Sequence, residues 1–407
     1  MPNYFCLNTI KAGSAATIAA MSCALATTPL NAAEIEFSGY VEPELQIFTA
    51  RGNLPGQKRF NSSVATELTV ETFFDDSYII FKPFARLDLQ DGNRSHADIR
   101  QLKYVHIVDD WEFRVGFDKV FWGVTEVAHL VDIINQTDGV ESIDGDEKLG
   151  QPMLAVSTVQ DFGTFSAYLL PYFRERTFPS MSGRPAPDIP IDETLTSYES
   201  DDKRQHLDFA LRYANTFEDW DVGLSYFQGT GRDPILRPAF NAPGNLVLAP
   251  FYAQIRQTSI DVQATKGAWL YKFEGFWRRE LNEERVQATG GVEYTLYQIF
   301  ETSSDLGIVA EYIWDDRGAN PQNAFANDAV AGVRWTANDE ASTAILLAST
   351  IDLDTQALGL SLEAERRFGD DYFMSVEARF FENVPTSDPL FSFSNDDFMQ
   401  VRIARYF

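Results

Sequence analysis

The sequence predicts an all-β chain, a transmembrane antiparallel up-and-down β-barrel of about 18 strands, with sixteen as the alternative, short periplasmic turns and long extracellular loops. Three observations carry this. Apolar residues recur with period two over stretches of roughly 10–14 residues, longer than the five or six of an ordinary globular strand. Short and long connections alternate along the chain, as in a meander threaded through a membrane. Aromatic residues, 14% of the 407 and including 32 Phe, gather beside the short connections, where an interfacial girdle would place them.

Before the first strand, residues 1–33 have the order of a cleavable export signal: one charged residue, Lys11, a small apolar run from Ala12 to Ala26, then Pro29, Asn31, Ala32 and Ala33. Cleavage after Ala32 or Ala33 leaves 34–407 as a single barrel domain and removes both cysteines, Cys6 and Cys23. Lipid attachment at Cys23 is the lesser alternative, because Ala20, Met21 and Ser22 match a lipidation pattern poorly.

The expected strands run 35–48, 60–74, 77–90, 98–108, 111–121, 151–160, 163–174, 205–217, 219–229, 251–264, 267–279, 286–300, 304–315, 327–337, 340–351, 356–368, 371–382 and 395–407. In the third, Ile79, Phe81, Pro83, Ala85 and Leu87 share one face and Lys82, Arg86 and Asp88 the other. In the thirteenth, Leu306, Ile308, Ala310, Tyr312 and Trp314 oppose Gly307, Glu311 and Asp315. Short turns are expected at Asp75-Asp76, Asp109-Asp110, Asp161-Phe162, Glu218, Thr265-Lys266, Asn338-Asp339 and Gly369-Asp370. Long connections fall at 122–150, 175–204, 230–250, 316–326 and 383–394. The last strand, with Met399, Val401 and Ile403 alternating toward a terminal Phe407, has the form of a barrel assembly signal, although Arg405 stands where an apolar residue is usual.

A barrel of this size encloses water. The polar faces carry Lys82, Arg86, Asp88, Glu112, Arg114, Asp118, Asp208, Arg212, Lys272, Glu274, Arg278, Arg334, Glu363, Glu365, Arg367, Glu377 and Arg379. A basic residue facing lipid at mid-membrane costs about 2–4 kcal/mol, so these side chains are expected to line the lumen, mostly bracing one another in pairs. The segment from Phe117 to Asp138 leaves a strand, loses the alternation and continues apolar, with Val124, Val127, Leu130, Val131 and Ile134 at helix-like spacing. The lumen wall is the surface available to bury it, so the loop is expected to fold inward and narrow the pore, with Glu126, His129, Asp132, Asp138, Glu141 and Asp144 at the constriction.

The run from Arg114-Val115-Gly116 through Trp122-Gly123 to Asp132-Ile133-Ile134-Asn135, with Leu169-Leu170-Pro171-Tyr172-Phe173-Arg174 later, resembles the Gram-negative outer-membrane porin-like β-barrel family, related in appearance to alginate-export-type barrels. The resemblance covers about 60 residues closely and implies a channel or exporter without an assigned substrate. Alginate-type barrels pass a polyanion through a strongly basic pore, whereas this chain is acidic.

The net charge of −27 excludes a nucleic-acid-binding role, which needs a basic patch. The expected partners are outer-membrane lipid and lipopolysaccharide, the barrel assembly machinery and small hydrophilic solutes. No cofactor, metal or catalytic residue is expected. The four histidines, His96, His106, His129 and His206, have no zinc or Ser-His-Asp spacing, and the acids from Asp138 to Glu147 lack the order of a Ca²⁺ loop. A passive channel is the leading reading. A polymer exporter working with a periplasmic partner and a barrel enzyme acting on lipid are the alternatives.

Overall fold

The computed structural model describes residues 34–318 and 325–407, and the expected leader and Cys23 lie outside them. The strands are β1 (Glu34–Phe48), β2 (Phe60–Phe74), β3 (Ser77–Asp88), β4 (His96–Val108), β5 (Trp111–Asp118), β6 (Gln151–Gln160), β7 (Gly163–Leu170), β8 (Ser197–Tyr198), β9 (Asp208–Phe217), β10 (Trp220–Thr230), β11 (Ile235–Phe240), β12 (Leu246–Tyr252), β13 (Gln254–Lys266), β14 (Trp269–Glu280), β15 (Glu283–Leu296), β16 (Asp305–Asp315), β17 (Asn327–Thr336), β18 (Ala344–Asp352), β19 (Leu358–Phe368), β20 (Tyr372–Glu382) and β21 (Phe398–Tyr406). All but β8, β11 and β12 form one antiparallel sheet of 18 strands that pairs each strand with its successor and closes by β1 against β21. This is the fold of the outer-membrane β-barrels.

Alternation along the strands sorts the side chains. On β14, Trp269, Tyr271, Phe273 and Trp277 are exposed on the outer face, while Glu274, Phe276 and Arg278 are buried inside. On β16, Ile308, Tyr312 and Trp314 face out and Val309, Glu311 and Ile313 face in. The girdle rings lie beside the short turns, and several pair across strands, as Phe73 with Tyr78 at 6.2 Å and Trp269 with Tyr294 at 4.7 Å. Pro83 sits within β3 without an N–H to donate, and the β3–β4 register shifts between Lys82 and Pro83, where the ladder accommodates the missing donor.

Several expected boundaries move. The Thr265-Lys266 turn belongs to β13, and Gly267, at φ +63°, makes the turn instead. The strand expected over 286–300 ends at Leu296, because Gln298 and Phe300 take positive φ in a 3-10 turn. The strand expected over 340–351 begins only at Ala344. On the rim that otherwise carries the long connections, β14 and β15 are joined by two residues, Leu281 (φ +49°) and Asn282 (φ +67°), the positive angles a tight hairpin needs. Two of the long connections form a small second sheet, β11 antiparallel to β12 and β12 parallel to β8, which period-two reading did not separate from loop.

If the outer face of β10 meets hydrocarbon, Leu224→Arg should lower the unfolding free energy in lipid vesicles by about 2–4 kcal/mol. An unchanged denaturation midpoint would place that face in water.

Candidate pore constriction

The connection between β5 and β6, residues 119–150, enters the barrel instead of leaving it. Its base is pinned where it begins: Asp118 is buried and accepts from Gln101 at 2.7 Å, Lys103 at 2.8 Å and Arg114 at 3.0 Å. Asn135 ties the two limbs together, accepting from Val120 N at 2.8 Å and donating to the carbonyls of Asp118 and Leu149. Trp122, Val131, Ile133 and Ile134 then pack on Met153, Ala155, Tyr168, Leu170, Ala210, Phe227 and Ile255, which are inward residues of β6, β7, β9, β10 and β13. The inside of this part of the barrel is therefore a hydrophobic core shared by wall and loop.

Farther along, the segment meets the opposite wall. Glu274 of β14, fully buried, presents one oxygen to Val124 N (2.6 Å), Thr125 N (2.9 Å) and Thr125 Oγ1 (2.8 Å), and the other to Val131 N (3.2 Å). Gly123, at φ +147°, permits the approach, since a side chain there would begin 3.1 Å from the same carboxylate. Glu126 donates its N–H to Glu311 of β16, and its carboxylate bridges Lys272 at 3.3 Å and Arg334 of β17 at 2.7 Å. Val127, Ala128 and Leu130 pack with Ile313, Phe325 and Val330. Eight barrel strands separate β5 from β17 in either direction, so the loop spans the lumen. It does so without the helix that its apolar spacing suggested. The N–H groups of Val124, Thr125, Glu126 and Val131 are taken by wall carboxylates, while those of Leu130, Asp132, Asp138, Glu141 and Leu149 donate to carbonyls of the loop itself.

The remaining acids of the loop also meet cations. Asp138 lies 3.0 Å from Arg100, Glu141 lies 2.9 Å from Arg86 and 2.8 Å from His96, and Asp144 lies 3.1 Å from Arg379 of β20. Asp132 pairs with Lys148 at 3.2 Å and His129 with Asp146 at 3.5 Å, both within the loop. Burial alone would raise the Glu141 pKa, but the hydrogen bond from His96 and the charges of Arg86 and Arg94 outweigh it and hold the carboxyl well below the usual range. Burial prevails at Asp138 and Asp132, whose pKa values stay raised although Arg100 and Lys148 pull the other way.

The structure places the expected lumen residues on the inner faces, many of them paired: Arg114 with Glu112 and Asp118, Arg212 with Asp261 through two bonds of 2.8 and 2.9 Å, and Arg379 with Glu363 and Glu377. Asp88 pairs with Arg94, and Asp208 with Arg232 and His206. Lys82 lies on the same face of β3 as Arg86, while Glu365 and Arg367 are exposed near the short-turn end of β19.

Sequence reasoning missed the densest cluster. Glu44 of β1, buried, meets Arg94 (2.9 Å), Arg86 of β3 (3.3 Å) and Arg402 of β21 (3.0 Å). Its signal was available in Glu42, Glu44 and Gln46 alternating with Val41, Pro43, Leu45 and Ile47. The donor atoms of His96, Asp138 and Glu141 lie within 4.8 Å of one another, but Arg86 and Arg100 already neutralise the two carboxylates and disfavour a cation there.

No family model matches the chain, and no curated protein matches it. Its fold is similar to that of solved outer-membrane proteins. A BenF-like porin from Pseudomonas fluorescens Pf-5 aligns with a TM-score of 0.53 at 11% identity, over 92% of this chain and 98% of that one. OccD3 of Pseudomonas aeruginosa aligns with a TM-score of 0.52 at 11% identity, over 92% and 90%. Wzi, a carbohydrate-binding β-barrel involved in group 1 capsule assembly in Escherichia coli, aligns with a TM-score of 0.51 at 9% identity, over 89% and 83%. At these identities the likeness is one of fold.

Charge-assisted hydrogen bonds contribute about 1.5–3 kcal/mol each, so Glu274→Ala should free residues 122–131 and raise their amide hydrogen exchange by at least roughly tenfold. Unchanged exchange would mean that apolar packing alone holds the loop. The Glu141 carboxyl has a lowered pKa in the folded chain. Its contribution is therefore present above the ordinary carboxylate range and is lost only as pH falls through that lowered value. Segment 138–147 should resist limited proteolysis at pH 4.5 as at pH 7, and Glu141→Gln should make it cleavable at both.

Proposed function

We propose that this chain is a porin-like channel of the Gram-negative outer membrane, exported with a cleavable leader, through which small hydrophilic solutes diffuse passively. The observation that carries the reading is the 119–150 loop, braced on opposite walls of the lumen so that it narrows the passage without depending on a partner. A fixed constriction in a charged, water-filled barrel selects by size and by the charges that line it. Glu126, Asp132, Asp138, Glu141 and Asp144 serve in this reading chiefly as tethers, each facing a cation, with His129 held against Asp146, and the passage runs beside them.

Among the described residues no histidine ring meets both a hydroxyl and a carboxylate, the pairing that a Ser-His-Asp enzyme needs. His96, His129 and His206 each face a carboxylate, Glu141, Asp146 and Asp208. His106 meets Ser77 at 2.8 Å near the short-turn rim, but among the described residues no carboxylate pairs with its ring to orient it as a general base.

The test is planar-bilayer recording of the purified, folded chain across a KCl gradient. Stable ohmic steps are expected, with conductance raised when 122–147 is replaced by a short Gly-Ser linker. Replacing Asp138, Glu141 and Asp144 by Asn, Gln and Asn should shift the reversal potential toward anion preference. Silence from correctly folded protein, in both the parent and the shortened chain, would sink the channel and favour a polymer exporter. Phospholipid hydrolysis lost in His106→Ala would favour the enzyme.

A further inference from the structure

Between the infolded loop and the inner faces of β14 and β15 lies a cavity of about 200 Å³ near the long-connection rim, lined by Arg176, Arg232, Arg278, Arg285 and Lys148 and by the carboxylates Asp132, Asp144 and Asp233. Arg278 and Arg285 are direct cross-strand partners in the two-residue hairpin, and both point inward. Like charges placed directly opposite on one face of a sheet destabilise it, so this placement requires a compensating group.

The carboxylates nearby do not supply enough. Asp132 is engaged by Lys148 and Asp144 by Arg379. Asp208 is shared between Arg232 and His206. Asp233 reaches only to 3.8 Å from Arg278, and its side chain is 70% exposed. Among the described residues, neither Arg176 nor Arg285 has a carboxylate at ion-pair distance, and the Nε atoms of both are buried without a hydrogen-bond partner. So is Nη2 of Arg232, a residue only 4% exposed.

Aromatic faces hold the guanidinium groups in place. Arg278 and Arg285 lie 4.5 and 5.4 Å from the centroid of the one Phe276 ring, and Arg232 lies 5.0 Å from Phe227 and 5.2 Å from Phe173. Cation–π contact positions a guanidinium without neutralising it or consuming its in-plane N–H donors. Arg278 Nε already donates to Gln257 Oε1 at 2.6 Å and Arg232 donates to the carbonyls of Ile134 and Thr230, so the buried donors left without a partner are Nε of Arg176, Nε of Arg285 and Nη2 of Arg232, in a cluster of net positive charge within a chain whose overall charge is −27.

We infer that this cavity binds the oxyanion of a small solute, a carboxylate or a phosphate, at the constriction of the channel. The inference rests on the channel reading for its place in transport, but the binding itself does not. The volume limits the occupant to a small molecule or to the anionic end of a larger one. Arg278 and Arg285 face the bound group from the wall, and Arg176 and Arg232 from the long connections. The wider acidity of the chain would repel polyanions, leaving a compact anion as the class the site fits.

The experiment is isothermal titration of the folded, detergent-solubilised full chain with inorganic phosphate and, separately, with succinate at low ionic strength, alongside bilayer recording with each probe. Saturable binding of one probe per chain is expected, weakened by roughly tenfold or more in Arg278→Gln/Arg285→Gln. Arg366→Gln, on the short-turn rim, should bind as the parent does. Arg285→Gln alone, at a partly exposed position, should show an intermediate loss if the double variant fails to fold. Binding of succinate alone assigns a carboxylate, and of phosphate alone a tetrahedral oxyanion. A chain that conducts but binds neither probe, or binds equally in parent and arginine variants, overturns the site. A chain that binds through these arginines but never conducts keeps the site and removes the channel.

Discussion

Every backbone N–H and C=O of a chain crossing hydrocarbon must find a partner within the chain, and a sheet meets that demand only by having no edge. The rest of this structure depends on that closure. β21 reaches β1 from Tyr406 beside Tyr40 to Phe398 beside Phe48, and Gly39 and Phe407 exchange both backbone hydrogen bonds at the end of the seam. The seam is reinforced from inside by Glu44, whose carboxylate joins β1 to Arg402 on β21 and to Arg86 on β3. One buried acid thus connects the first strand, the last strand and, through Arg86, the Glu141 anchor of the infolded loop.

Closure creates a lumen, and the lumen gives the β5–β6 loop somewhere to fold. Its apolar residues meet apolar wall positions on β6, β7, β9, β10 and β13 and, across the lumen, on β16 and β17, while its polar backbone and acids meet charged positions on β3, β14, β16, β17 and β20. The two kinds of contact hold the loop by different physics. Apolar packing is non-directional and sets its depth, whereas the Glu274 contacts are directional and set the path of its backbone. With the loop acids consumed as tethers, Arg285 on the β14–β15 hairpin is left with no carboxylate at ion-pair distance among the described residues and with a buried Nε that has no partner.

The strands were legible because a barrel wall has lipid on one side and water on the other, so each strand writes period two into the chain. Ile79, Phe81 and Pro83 against Lys82 and Arg86 is such a record. The infolding of 119–150 was legible for a related reason, since Val124, Leu130, Val131 and Ile134 need burial wherever they lie. The Thr265-Lys266 turn and the Phe300 strand end were misplaced because turn geometry depends on one or two φ angles that alternation does not encode. The β8, β11 and β12 sheet was invisible because its parallel pairing joins segments about 50 residues apart.

From its sequence alone, this protein was determined to be an all-β barrel of about eighteen strands, with its charged faces turned inward and one long apolar loop in need of cover. Those properties follow from local alternation and from the cost of exposing charge to lipid. Only the tertiary structure decided which charges meet: that Glu44 gathers three arginines, that Glu274 receives the loop, and that Arg278 stands opposite Arg285. Such contacts depend on strand register and on which of eighteen walls a loop reaches, and a pattern that repeats every two residues carries neither.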